Sequence, residues 1–182
     1  MHKTHFGQSR RQVLSWLTES WLKNGPPICF VEGFPGVGKS ELAAELLRHL
    51  QNLESWKATF EKVTERSSPS IVDTFFDLAD SLSQQGLNEM ETVLLSDGDL
   101  NLAFALEKVL RKPVLIVLDE AQRLFNPESG QPLAELAGVL SFLRTRPTLR
   151  GRLLLLSDRL VERARWSESF PIQTLTAFVG AR

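Results

Sequence analysis

Residues Gly33-Phe34-Pro35-Gly36-Val37-Gly38-Lys39-Ser40 carry the spacing G-x-x-x-x-G-K-S. These residue types at this spacing suit one task, the binding of a chain of phosphates. Gly33, Gly36 and Gly38 let the backbone turn its N–H groups inward and approach an anion closely. A helix that follows directly aims its positive end at the same anion. Lys39 would set its ammonium on the β- and γ-phosphates, and the Ser40 hydroxyl would ligate Mg²⁺. Pro35, Val37 and Glu41 complete the stretch expected to line the phosphates. The bland alternative is a glycine-rich turn between a strand and a helix with a stray lysine.

A second group of acids lies further on. Val114-Leu115-Ile116-Val117-Leu118 is an unbroken apolar run, and it ends in Asp119-Glu120. An acid at that place would hold the metal opposite Ser40, and this is the role expected of Asp119. Glu120 has the chemistry to polarise an attacking water. Asp119 could instead cap a turn, and Glu120 could be a solvated carboxylate. Ala121-Gln122 completes the string Asp-Glu-Ala-Gln. A third apolar run, Leu153 to Leu156, ends in the polar tip Ser157-Asp158-Arg159. Lys39, Glu120 and Arg159 form the expected catalytic set.

These residues need a scaffold that gathers them. Ile28 to Val31 reads as a buried strand before the loop. Leu42, Leu46, Leu47 and Leu50 give the segment after it a helical face. Residues 9–23 read as an amphipathic helix on Val13, Leu17 and Trp21, stopped by Asn24-Gly25-Pro26-Pro27. Trp56 to Val63 alternates as a second strand, with Ala58 and Phe60 opposed to Thr59, Glu61 and Val63. Ser68-Pro69 looks like a helix start, and Ile71, Phe75, Leu78, Ala79 and Leu82 form that helix's core face. A short helix is expected around Glu89 to Leu95, another from Leu100 to Leu110, and a further one on Leu133 to Leu143. Phe170 to Leu175 supplies a fifth strand. Strands alternating with helices predict an α/β fold with a mainly parallel sheet. Ligands of such sheets sit at the carboxyl ends of the strands, where the loop, Asp119-Glu120 and Ser157 to Arg159 all fall.

Composition narrows the partners. The chain has 182 residues, a formal net charge of -1 and one cysteine, Cys29. That length suits one compact core. The near-zero charge announces neither nucleic acid nor an anionic membrane, and no apolar run is long enough to span a bilayer. A single cysteine excludes an internal disulfide framework and points to a reducing, cytoplasmic setting. Arg144, Arg146, Arg150 and Arg152 are expected to be a solvated helix end, with a partner-facing or nucleic-acid-facing patch as the alternative. Arg159, Arg163 and Arg165 form a second basic run, from which one guanidinium could reach the γ-phosphate.

Taken together, the loop, the extra strand, the strand with Asp119-Glu120 and the strand with a polar tip resemble the AAA+ branch of P-loop ATPases. They also resemble its STAND relatives, the signal-transduction ATPases with numerous domains. His5-Phe6-Gly7, followed by a helix with Trp16-Leu17, is similar to the start of many STAND nucleotide-binding domains, although Gln8 stands where arginine is common. Leu155-Leu156-Ser157-Asp158-Arg159 resembles the group's sensor strand, with Asp158 as a departure. The resemblance implies a three-layer sandwich, a five-stranded sheet in the order 5-1-4-3-2, and ATP with Mg²⁺ as ligands. It implies residues 1–182 as one nucleotide-binding core, with 1–24 an N-terminal segment and helix, and with lid and further domains expected outside this chain. The expected function is a slowly hydrolysing ATPase module of a STAND-type switch, partnered by attached domains and by further copies of itself. The alternatives are an AAA+ ATPase acting on nucleic acid, which composition does not favour, and a nucleotide-holding scaffold with negligible turnover.

Overall fold

The computed structural model describes residues 9–63, 71–96, 101–158 and 170–176. Five strands form one sheet: β1 (Ile28–Glu32), β2 (Lys57–Lys62), β3 (Val114–Asp119), β4 (Arg152–Ser157) and β5 (Ile172–Thr174). Their order is β2-β3-β4-β1-β5 with every pairing parallel, which is the expected order read from the other edge. The helices are α1 (Arg10–Trp16), α2 (Lys39–Gln51), α3 (Ile71–Ser83), α4 (Glu89–Leu94), α5 (Leu102–Leu110) and α6 (Ala134–Arg144).

The strands β1, β3 and β4 are buried along their whole length, as their continuous apolar sequences require. Successive side chains alternate between two cores. Ile28, Phe30, Ile116, Leu118, Leu153 and Leu155 face α3 to α6. Cys29, Val31, Leu115, Val117, Leu154 and Leu156 face α1 and α2. The result is a three-layer sandwich. The edge strand β2 keeps the expected alternation but not the expected depth. Thr59 and Val63 are buried under the α3 side, whereas Phe60 is exposed.

The N-terminal helix is continuous to Asn24 but carries a π turn over Leu17–Trp21, where Thr18 Oγ1 donates back to Leu14 O (3.0 Å). Such back-bonding loosens the regular ladder. Val13, Leu17 and Trp21 are all fully buried, and the Trp21 indole donates to Pro26 O (2.9 Å). Asn101 caps α5 through Phe104 N (2.9 Å). The expected start of α3 at Ser68-Pro69 and the residue Leu100 lie outside the described residues, as does Phe6-Gly7.

The basic run around Pro147 departs from expectation. Arg144, Arg146 and Arg150 are exposed, and Arg146 pairs with Glu107 at 3.6 Å. Arg152 is instead buried. Its Nε donates to Trp21 O (3.1 Å), and one terminal nitrogen donates to Leu149 O (2.6 Å) and Gly151 O (2.9 Å). It ties the start of β4 to the end of the N-terminal helix, where Trp21 O also accepts from Gly25 N (2.9 Å), and it gives buried carbonyls of its own loop a donor. Burial pulls its pKa down from the ordinary arginine value. Among the described residues, no helix is long and apolar enough to cross a membrane.

Candidate functional site

The loop between β1 and α2 has the conformation its glycines permit. A Cβ on Gly33 would lie 2.7 Å from Leu175 O and from Val37 Cγ1, so no side chain fits there. Gly33 N donates to Ser157 O (3.1 Å), which fastens the loop to the tip of β4. Gly36 (φ 80) and Gly38 (φ 99) take left-handed backbone, where a side chain would be strained. Gly38 is also the N-cap of α2 and provides no side-chain cap. The first N–H groups of that helix are therefore free of a capping side chain and suited to an anion. Pro35 and Gly36 are exposed and Val37 is half-buried, with Glu41 exposed in the first turn of α2.

Lys39 opens α2 and is buried, although it carries a charge. Its Nζ donates to Gly33 O (2.6 Å), Phe34 O (3.2 Å) and Asp158 Oδ1 (3.3 Å). The ammonium thus stays inside the loop, held by two carbonyls and a carboxylate from the end of β4. Ser40 Oγ donates to Asp119 Oδ2 (2.9 Å), across 79 residues of sequence. The two expected metal ligands therefore meet, and Asp119 is buried. Its other oxygen accepts from Glu120 N (2.8 Å).

Glu120 follows in left-handed backbone, φ 58 and ψ 34. A 3₁₀ turn, Ala121–Leu124, comes next, an element with no apolar pattern long enough to announce it. Glu120 Oε2 accepts from Gln122 Nε2 (2.7 Å) and lies 3.7 Å from a terminal nitrogen of Arg123. Gln122 Oε1 in turn accepts from Asp158 N (3.1 Å), and Arg123 donates to Val63 O at the end of β2 (2.8 Å).

Lys39, Ser40, Asp119 and Glu120 come together as the sequence predicts, and Arg159 lies outside the described residues. Gln122, Arg123 and the pairing of Asp158 with Lys39 were missed. The first two stand directly behind Asp119-Glu120, and that adjacency was their one signal. Glu32, a buried acid ending β1, was missed as well; it accepts from Thr174 Oγ1 (3.0 Å). Ser157 Oγ is fully buried and has no hydrogen-bond partner among the described residues.

The donor set suits Mg²⁺. That ion is held by one or two carboxylates with substrate phosphates and water, and the hydroxyl and carboxylate found here are hard oxygen donors at one spot. Among the described residues no group of three or more His, Cys, Asp or Glu gathers as a self-sufficient metal cage. A site completed by the phosphates is what such a pair calls for.

Residues 22–156 match the AAA domain family. No curated protein matches the chain. Among solved structures, the chain is similar to Drosophila ORC bound to DNA, with a TM-score of 0.61 and 21% identity over 90% of this chain and 41% of that one. It is also similar to the ORC2 protein of Aeropyrum pernix in ADPNP-ADP complexes, with a TM-score of 0.61 and 12% identity over 95% and 50%. Cdc6p of Pyrobaculum aerophilum gives a TM-score of 0.58 and 16% identity over 92% and 45%. At these identities the likeness shows the fold, and the chain spans half or less of each of these proteins. The sheet order, the glycine loop and the Ser40–Asp119 pair define a P-loop nucleoside triphosphatase. With the family match over most of its length, the chain belongs to the AAA domain family and is an AAA+ P-loop ATPase.

Proposed function

We propose that this core is the Mg-ATP-hydrolysing module of a STAND-type switch, in which the bound nucleotide sets the arrangement of attached domains or of further copies of the chain. The observation that carries it is the contact of Lys39 with Asp158 (3.3 Å). A phosphate arriving at the loop competes with that carboxylate for the same ammonium. Occupancy therefore changes what the tip of β4 touches, which a switch needs: a ligand shifts an equilibrium only by its differential affinity for the two states.

In the reaction, loop N–H groups and Lys39 hold and neutralise the β- and γ-phosphates. Ser40 and Asp119 would hold Mg²⁺, which supplies charge stabilisation on the transferring phosphoryl group. Glu120 accepts a proton from water as its oxygen attacks the γ-phosphorus, the bond to the ADP oxygen breaks, and the proton passes on to solvent. Arg159 is the proposed γ-phosphate sensor, following Asp158 in sequence. The single buried Cys29 supports a reducing, cytoplasmic setting.

The experiment compares the protein with Mg-ATP, with Mg-ADP and without nucleotide by calorimetry and light scattering. Different mass or shape with ATP and ADP is the expected result. Identical behaviour in all three states, with nucleotide bound, overturns the switch. A second reading, an AAA+ ATPase acting on nucleic acid, draws support from the similarity to Drosophila ORC bound to DNA and to the Aeropyrum pernix ORC1 protein in complex with DNA, the latter at a TM-score of 0.58 and 16% identity. Binding of duplex or single-stranded DNA that weakens steeply with salt would favour it.

A further inference from the structure

Gln122 ends the Asp-Glu-Ala-Gln string, and neither phosphate binding nor metal binding gives it a task. The left-handed backbone of Glu120 and the turn after it fold Gln122 back between β3 and β4. Its carboxamide is engaged at both ends, donating through Nε2 to Glu120 Oε2 (2.7 Å) and accepting through Oε1 from Asp158 N (3.1 Å). The partners fix its orientation. A carboxylate can only accept and a backbone N–H can only donate, so a flipped amide would face two mismatches. Asp158 then touches Lys39 at 3.3 Å. One chain of contacts runs from the phosphate-binding ammonium through the tip of β4 to the carboxylate that receives the proton.

We infer that Gln122 is a positioning residue for hydrolysis: it fixes the Glu120 carboxylate and sets it in register with the tip of β4. The inference rests on the reading of Glu120 as the base. Gln122 touches neither nucleotide nor water in this scheme and acts through Glu120. Arg123 lies close to the same oxygen, but at 3.7 Å it supplies charge rather than a directed hydrogen bond.

The test uses the full chain and measures ATP turnover together with Mg-ATP affinity for four variants: Gln122→Ala, Gln122→Glu, Glu120→Gln, and Glu120→Gln with Gln122→Ala. A positioned general base contributes roughly 10²–10⁴-fold, which bounds the loss. Gln122→Ala should lower kcat by about tenfold or more within that bound and leave the Kd for Mg-ATP within about twofold. Gln122→Glu keeps the shape and the acceptor for Asp158 N but turns the donor into an oxygen facing Glu120. It should lose at least as much turnover, and being nearly isosteric it serves if the alanine variant fails to fold. In the Glu120→Gln background, Gln122→Ala should change the residual rate by less than about twofold, because its route to the water is already gone. Wild-type kcat in both Gln122 variants overturns the inference. So does the same fractional loss with and without Glu120, which would mark a purely structural tie. Wild-type turnover in Glu120→Gln would sink the underlying assignment of the base, an outcome distinct from either.

Discussion

The proposed switch makes Asp158 and an incoming phosphate compete for the Lys39 ammonium, and replacing the acid by its amide should expose the competition. In Asp158→Asn the side chain keeps its size, and the backbone N–H that serves Gln122 is untouched. At 3.3 Å a pair of unit charges is worth about 1.3 kcal/mol in water and about 5 kcal/mol at an effective dielectric constant of 20. Lys39 is buried, but the Asp158 side chain is 37% exposed, so solvent screening holds the usable figure near the lower end, about 1 kcal/mol. Releasing Lys39 from that pair, and removing a carboxylate from beside the phosphates, should tighten Mg-ATP binding by roughly threefold to tenfold. ATP should gain at least as much as ADP, because the role proposed for Lys39 takes in both the β- and γ-phosphates. The nucleotide-free protein should move the other way. Loss of the pair costs under about 1 kcal/mol, no more than roughly 2–4 °C in Tm for a chain of this size. Calorimetric titration and a melting curve read the two signs, and raising the salt should shrink both effects. Unchanged or weaker Mg-ATP binding in Asp158→Asn would refute the competition.

Three further outcomes are expected. Lys39→Ala should weaken Mg-ATP by about tenfold or more, since charge-assisted contacts are worth roughly 1.5–3 kcal/mol; unchanged affinity in a titration would mean that the loop is structural. Arg152→Met should leave Trp21 O, Leu149 O and Gly151 O without the guanidinium that now serves them. Trp21 O keeps Gly25 N as a donor (2.9 Å), so at about 1–3 kcal/mol for an orphaned buried group the substitution should lower stability by roughly 2–3 kcal/mol in denaturant unfolding, with no effect on nucleotide affinity in the surviving folded protein. Arg159→Ala should reduce ATP affinity more than ADP affinity, because only ATP carries the third phosphate; equal losses, or none, would reject the sensor role.

The fold was legible wherever long-range order follows from local pattern. Unbroken apolar runs at 28–31, 114–118 and 153–156 became strands covered on both faces, and the alternation of strand and helix fixed a parallel sheet. The left-handed glycines of the loop and the meeting of Ser40 with Asp119 were legible because those residue types recur at one spacing. What could not be read was pairing across the sheet. Nothing local marks Asp158 as the partner of Lys39, 119 residues away. Arg152 failed for a related reason. A run of four arginines at two- to four-residue spacing looks solvated, yet the strand that begins at Arg152 draws this one guanidinium inward to carbonyls contributed by the N-terminal helix and its own loop.

Glu120 shows why the turn after β3 resists a local reading. It is the one non-glycine with positive φ among the described residues. A residue with a side chain in that region sits about 1–3 kcal/mol above its relaxed conformation, and by propensity alone glycine would be expected. Two hydrogen bonds hold the strained residue in place: Glu120 N donates to Asp119 Oδ1 (2.8 Å), and Arg123 N donates to Glu120 O (3.1 Å). The same reversal of direction ends β3, starts the 3₁₀ turn and brings Gln122 back to the tip of β4. Glycine would relax the backbone and remove the carboxylate. An extended residue would keep the carboxylate but carry Gln122 away from Asp158. An acid in left-handed backbone satisfies both demands at once, so the local rule is broken at the residue through which the glycine loop, Asp119 and the fourth strand are joined.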